Sequence, residues 1–73
     1  MPRLPVVSGQ EAIGALDRLG FRQTRQRGSH MVMRRGAKGC TVPLHRELKP
    51  GTLASMLRQA DVSPDAFVAA LQQ

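Results

Sequence analysis

Aromatic and acidic residues are scarce in this 73-residue sequence. It has two Phe and neither Trp nor Tyr, so it offers no row of rings on which single-stranded bases could stack. Because the acidic residues are scattered and unpaired, the sequence argues against a nuclease that holds two metal ions between carboxylates. The five acidic residues are Glu11, Asp17, Glu47, Asp61 and Asp65.

Cysteine occurs only at Cys40, which rules out an internal disulfide. A zinc site would have to combine Cys40 with His30, His45 and a carboxylate, and their spacing matches no zinc motif. We therefore expect no metal and no other cofactor. Cys40 itself is interpreted as a small apolar strand residue and not as a nucleophile.

Long hydrophobic runs are also missing, and no stretch approaches the length of a membrane span. Residues 1–7 lack the apolar run of a secretory signal. Together with the lone cysteine, these features predict a cytoplasmic protein without membrane contact. A chain of this length is expected to form one domain, residues 1–73, with a thin core, because so small a domain buries only roughly 60% of its unfolded surface.

Positive charge is what the sequence has in excess. Eleven Lys and Arg outweigh five Asp and Glu and give a formal net charge of +6. Such a balance favours an acidic partner, most often nucleic acid; a basic protein with a merely solvated charged face is the alternative. Basic residues cluster between Arg22 and Lys38, which favours a surface that contacts phosphates.

The spacing of apolar residues, caps and turns predicts the element order α-β-β-β-α-α. Ser8 and Glu11 form a capping box that opens the first helix, and Gly20 ends it. Pro50 and Ser63 mark the starts of the second and third helices. The sequence therefore predicts an α+β domain with helices on one face of a three-stranded antiparallel sheet. The predicted strands are residues 21–26, which should be half-exposed, then 30–34 and 40–42, with a turn at 27–29 and a loop at 36–39.

Two histidines, His30 and His45, are the side chains that titrate near neutral pH. Such a group can deprotonate the 2′-hydroxyl of RNA or protonate the leaving oxygen, while cations stabilise the charge of the transition state. His30 follows a Gly-Ser turn at a strand start, although an ordinary surface histidine is the alternative. The role of His45 stays open between a second proton carrier, a phosphate contact and a structural residue. The candidate RNA-binding residues near His30 are Arg25, Arg27, Ser29, Arg34 and Lys38.

Several short motifs occur in a specific order and spacing along the chain. A Gly-Ser-His motif ends at His30, a Val-Pro-Leu-His motif ends at His45, and a Gly-Thr-Leu motif begins at Gly51. They are accompanied by the segments Leu4-Pro5, Ser8-Gly9, Leu19-Gly20-Phe21, Leu57-Arg58-Gln59-Ala60 and Ser63-Pro64-Asp65-Ala66-Phe67. Together these motifs resemble the HicA toxin family, and the similarity extends over nearly the whole chain.

This resemblance implies a fold like a double-stranded-RNA-binding domain, α-β-β-β-α, with an additional C-terminal helix. It also implies a metal-independent endoribonuclease toxin that cleaves mRNA, arrests growth and is neutralised by a HicB-type antitoxin. The family's catalytic histidine falls on His30, whereas the recurrent histidine at His45 is not carried over as catalytic. One departure is that Met31, Val32 and Met33 occupy a strand in which the family commonly has an aromatic residue.

Two other functions are compatible with the same sequence. A non-catalytic RNA-binding module of the same fold would be harmless or weakly harmful on expression, and its binding would survive loss of His30. An adaptor that works at DNA only within an antitoxin complex would not shift DNA alone, and no direct DNA binding is expected without the antitoxin.

Overall fold

The computed structural model describes residues 4–73, so the sequence prediction for residues 1–3 lies outside the described residues. The element order is the predicted α-β-β-β-α with a further C-terminal helix, which confirms the α+β class. The elements are α1 (Gly9–Arg18), β1 (Arg22–Arg27), β2 (His30–Arg35), β3 (Lys38–Pro43), α2 (Pro50–Ala60) and α3 (Pro64–Leu71).

The three strands form one antiparallel sheet in the order β1-β2-β3, with β2 in the centre. Two-residue turns join them, and Gly28 and Gly36 adopt the left-handed backbone that such turns favour, with φ of +55° and +58°. The predicted loop at 36–39 is shorter than expected, because Lys38 and Gly39 already pair with β2.

Helix α1 begins at the predicted capping box. The Ser8 hydroxyl accepts from the Glu11 amide at 3.0 Å, and the Glu11 carboxylate accepts from the Ser8 amide at 2.9 Å. Gly20 follows the helix with a φ of +95°, which turns the chain towards β1. The box thus fixes where α1 starts, close to the segment that leaves β3.

One buried cluster joins the helices to a single face of the sheet. Met33 of β2 and Val42 of β3 point into it, together with Phe67 of α3, and all three are fully buried. His30 and Arg34 alternate with Met33 along β2, so they point to the opposite face of the sheet. The largest fully buried side chains are Phe21, Phe67, Leu16, Met33, Leu48, Leu53, Leu57 and Val42.

Strand β1 is more open than the half-exposed strand that the sequence predicts, since all six of its residues are exposed. The anchor is Phe21, which is buried immediately before the strand. The Arg35 guanidinium lies 4.7 Å from the centre of the Phe21 ring and donates to the Leu19 carbonyl at 2.6 Å. The strand is therefore held at its start and by β2, and both its faces are available for contact. Along residues 4–73, no helix is long and apolar enough to cross a membrane.

Candidate active site

His30 is the first residue of the central strand and follows the Gly28-Ser29 turn. In the sheet it pairs with Arg27 of β1 on one side and Pro43 of β3 on the other. Directly opposed residues of an antiparallel sheet lie roughly 5 Å apart and point to the same face. The imidazole is exposed, and its backbone is fixed by two neighbouring strands.

A row of arginines shares the face of His30. Arg27 is the direct partner of His30, Arg25 that of Val32, and Arg22 that of Arg34. Because paired residues point to the same side, these side chains extend from one surface, and all four arginines are exposed. We call this surface the arginine face and define it by Arg22, Arg25, Arg27 and Arg34.

A β-bulge makes this grouping possible. The register shifts between Gln23 and Arg25, so that Thr24 is the extra residue, and its hydroxyl donates to the Val32 carbonyl at 3.3 Å. In a regular strand Arg22 and Arg25, three positions apart, would point to opposite faces. The bulge therefore adds Arg22 to the set that the sequence predicts.

The arginine face has no internal counter-charge. All five acidic residues lie outside the three strands. Within residues 4–73 the ion pair formed is between Lys38 and Asp61, at 3.6 Å. The positive charge of the face is thus left for an external anion.

Lys38 and Ser29 occupy different positions relative to this face. Lys38 pairs with Arg35 in the sheet, so it points to the helix-covered side, where Asp61 meets it. The structure therefore separates Lys38 from the other predicted RNA-binding residues. Ser29 is exposed beside His30, and its carbonyl accepts from the Leu44 amide at 2.7 Å.

His45 lies close to His30, although the two are 15 positions apart in the sequence. The centres of the two rings are 6.4 Å apart, with an angle of 68° between their planes. Backbone hydrogen bonds hold the segment after β3 in place. The Leu44 amide donates to the Ser29 carbonyl, and the Gly9 amide donates to the His45 carbonyl at 2.9 Å. Within the described chain neither imidazole is tied up in a hydrogen bond, so both rings are free to meet a ligand.

A groove adjoins His30 on the side away from the arginines. Its volume is about 470 Å³, and it lies between β3 and one side of α2, with the buried Met56 at its base. We call it the α2 groove; among residues 4–73, His30 is the only ionisable side chain in its lining. The lining residues are His30, Thr41, Pro43, Gly51, Thr52, Ser55, Met56 and Gln59.

Cys40 is buried on the core side of β3, and this burial raises the pKa of its thiol. A thiol with a raised pKa forms less thiolate and is a poorer nucleophile. Its placement agrees with the interpretation as a small apolar strand residue. Over residues 4–73, no group of three His, Cys, Asp or Glu side chains could hold a metal ion.

Sequence reasoning missed two parts of this site. Arg22 was missed because β1 is polar throughout, so its sequence has no apolar–polar alternation in which a bulge could be recognised. The polar residues of the α2 groove did carry a signal, since Thr52, Ser55 and Gln59 follow helical spacing beside the apolar stripe of α2.

A family model described as "HicA toxin of bacterial toxin-antitoxin" matches residues 9–62. The matched part includes all three strands, both histidines and the α2 groove. No curated protein and no solved structure matches the chain significantly. Since the matched residues make up well over half of the chain, it belongs to the HicA family of toxins from bacterial toxin–antitoxin systems.

Proposed function

We propose that this toxin is a metal-independent endoribonuclease that cleaves mRNA in the cytoplasm, with His30 as its catalytic residue. The observation that carries the proposal is the pair of free imidazoles, 6.4 Å apart, at the edge of the arginine face. Membership of a toxin family supports a damaging activity, and the charge of the face supports a polyanionic substrate.

The cleavage needs one group to take a proton and another to give one. A neutral imidazole removes the proton from the 2′-hydroxyl, and the 2′-oxygen forms a new bond to phosphorus. The bond from phosphorus to the 5′-oxygen of the next nucleotide breaks, and a protonated imidazole supplies the proton to that leaving oxygen. Rings 6.4 Å apart can both reach oxygens of one phosphate, so His45 is proposed as the second proton carrier.

The arginine face would stabilise the charge that accumulates during this step. Arg27 is best placed, because it is the cross-strand neighbour of His30. Arg25 and Arg34 are proposed to hold the flanking phosphates, and Ser29, beside His30, to contact the same strand. Fixed cations next to the reacting phosphate stabilise the transition state without having to reorganise during the reaction. Lys38 is not included, because it points to the other side of the sheet.

The decisive test compares purified parent protein with His30→Ala on RNA in the presence of EDTA. We expect the parent to cleave in EDTA, because two proton carriers suffice for the reaction. His30→Ala should fold normally and lose roughly 10²–10⁴-fold in rate, the usual contribution of a general acid or base. Equal rates for the two proteins, or cleavage that requires added Mg²⁺, would overturn the proposed chemistry.

The same surface is proposed to bind a HicB-type antitoxin. A protein that places carboxylates against the arginine face and covers His30 would block RNA and neutralise the unpaired charge together. We expect the double variant Arg25→Glu, Arg27→Glu to lose co-purification with the antitoxin, whereas Arg58→Glu, on the last turn of α2, should keep it. Retention of the complex by the double variant would place the antitoxin on another surface.

A non-catalytic RNA-binding module is the alternative, because the arginine face would serve binding equally well. Growth of bacteria after induced expression distinguishes the two functions. A nuclease should arrest bacteria on induction and lose this effect with His30→Ala, whereas a binding module should be nearly harmless with either residue.

A further inference from the structure

We propose that the α2 groove is a nucleoside subsite, which binds the ribose and base next to the phosphate at His30. This inference rests on the proposed ribonuclease function and adds to it the place where the enzyme reads its substrate. It follows from the position, chemistry and size of the groove.

His30 lies at the boundary between two surfaces of different character. On the β1 side, its cross-strand neighbour is Arg27 and the surface is strongly positive. On the β3 side, its neighbour is Pro43, where the α2 groove begins, and the part of the lining that the structure describes has no Lys, Arg, Asp or Glu. A nucleic acid alternates charged phosphates with neutral nucleosides. A phosphate at His30, with its backbone on the arginine face, places one neighbouring nucleoside in the neutral groove.

The polar groups of the groove suit a nucleoside. Thr52, Ser55 and Gln59 are spaced at i, i+3 and i+7 on α2, so they form one stripe along the helix, and Thr41 faces them from β3. Hydroxyls can donate to or accept from ribose oxygens and base edges, and the glutamine amide can donate and accept together, as the edge of a base requires. Within the described chain these side chains make no hydrogen bond to other residues, which leaves them available.

The apolar part of the lining would contact the plane of the base. Met56 is buried at the base of the groove, and Pro43 is half-buried at its side. The described lining contains no Phe, so the base would be held through its edge and by a thioether and a proline ring instead of by stacking on a phenyl ring. The volume, about 470 Å³, falls within the roughly 300–1,000 Å³ typical of pockets for small organic ligands.

The test uses dinucleotides whose first nucleoside is 2′-deoxy, which cannot be cleaved, so binding is read independently of catalysis. Titration of ¹⁵N-labelled protein with dinucleotides carrying each base at each position should shift the Gln59 side-chain amide and the Ser55 backbone amide, with one base preferred. Each of Thr52→Val, Ser55→Ala and Gln59→Ala should weaken this binding roughly three- to tenfold, the usual effect of losing one hydrogen bond. Gln72→Ala, an exposed glutamine at the end of α3, is the matched control and should leave binding unchanged.

The same variants are then compared in cleavage of a ribonucleotide library. The expected result is a changed base preference next to the cut, while inorganic tripolyphosphate, which probes the arginine face, binds the variants as it binds the parent. Dinucleotide shifts confined to the arginine face, together with unchanged preference in all three variants, would overturn the subsite and leave the ribonuclease proposal intact. Failure of the ribonuclease proposal is recognised separately, by equal cleavage by parent and His30→Ala.

Discussion

At the scale of single residues, the site depends on where two histidines are placed. Both imidazoles are exposed. Their proximity comes from backbone bonds: Leu44 binds Ser29, and Gly9 binds the His45 carbonyl. A substitution at position 45 therefore separates the role of the imidazole from that of the backbone, because every residue keeps the carbonyl that Gly9 binds.

This separation gives a test for His45. We expect His45→Gln to retain the fold and to lower the cleavage rate by roughly 10²-fold or more, since a second proton carrier is removed. The pH–rate profile is the second readout. A bell-shaped profile in the parent, which needs one neutral and one protonated imidazole, should become one-sided in His45→Gln. The charged neighbours are the same in both proteins, namely Arg27 opposite His30, and Arg46 and Glu47 after His45.

Two results would contradict the proposed role of His45. One is a His45→Gln protein that cleaves at the parental rate over the whole pH range. The other is a lower rate explained by a lower melting temperature, measured by circular dichroism, with the bell-shaped profile intact. The second result would make His45 a structural residue, as the sequence alone left open.

At the scale of elements, helix α1 positions the segment that carries His45. Gly9 is the first residue of α1 and is buried against the end of β3. A Cβ atom at this position would collide with the Pro43 carbonyl oxygen and lie 3.0 Å from the Leu44 Cα. Both contacts are with backbone, so no side-chain rotation can relieve them. Glycine is required here for close approach, and the consequence reaches His45.

We therefore predict that Gly9→Ala displaces the segment after β3. The cost should be roughly 1–3 kcal/mol of unfolding free energy, as for other over-packed sites, measured by urea denaturation. Cleavage should fall more than stability explains, because His45 moves relative to His30. Gly14→Ala is the matched control: a Cβ there meets only the Arg18 guanidinium at 3.9 Å, so activity should be unchanged. Equal behaviour of the two variants would show that α1 does not position the site.

At this scale the sequence predicts some features of the molecule and not others. The capping box, the glycine turns and the helix stripes depend on residues close together in sequence, and the sequence predicts them correctly. Features that depend on pairing between strands are not predictable in this way. The strand register determines the bulge at Thr24 and the placement of Lys38 on the side of the sheet opposite Arg27. The path of the chain after β3 brings His45 close to His30. The resemblance to the HicA family pointed to His30, but it did not predict which residues surround His30 in the structure.

At the scale of the whole molecule, charge is distributed unevenly. The arginine face carries four cations and no carboxylate, while the acidic residues lie in the helices and connecting segments. A net charge of +6 attracts polyanions from a distance, and the uneven distribution orients them towards one surface. This arrangement explains how a chain with two aromatic residues could bind RNA without a stacking platform.

The distribution makes a prediction for the salt dependence of RNA binding. With His30→Ala protein, which is expected to cleave roughly 10²–10⁴-fold more slowly than the parent, the logarithm of the binding constant should fall linearly with the logarithm of salt concentration. Each phosphate contact in a single strand contributes a slope of about −0.7. Adding Arg25→Gln, or Arg22→Gln, should therefore weaken binding and make the slope shallower by about 0.7.

Lys38→Gln is the control that separates a local surface from general charge. It removes the same unit of positive charge, but from the helix-covered side of the sheet, where Lys38 pairs with Asp61. If the arginine face binds RNA, Lys38→Gln keeps the parental salt dependence, whereas Arg22→Gln makes the slope shallower. This holds even though Arg22 is the arginine farthest along β1 from Arg27. Equal losses of slope for Lys38 and the arginines would mean that RNA responds to net charge alone. In that case the bulge at Thr24, which brings Arg22 onto the face, would have no role in binding.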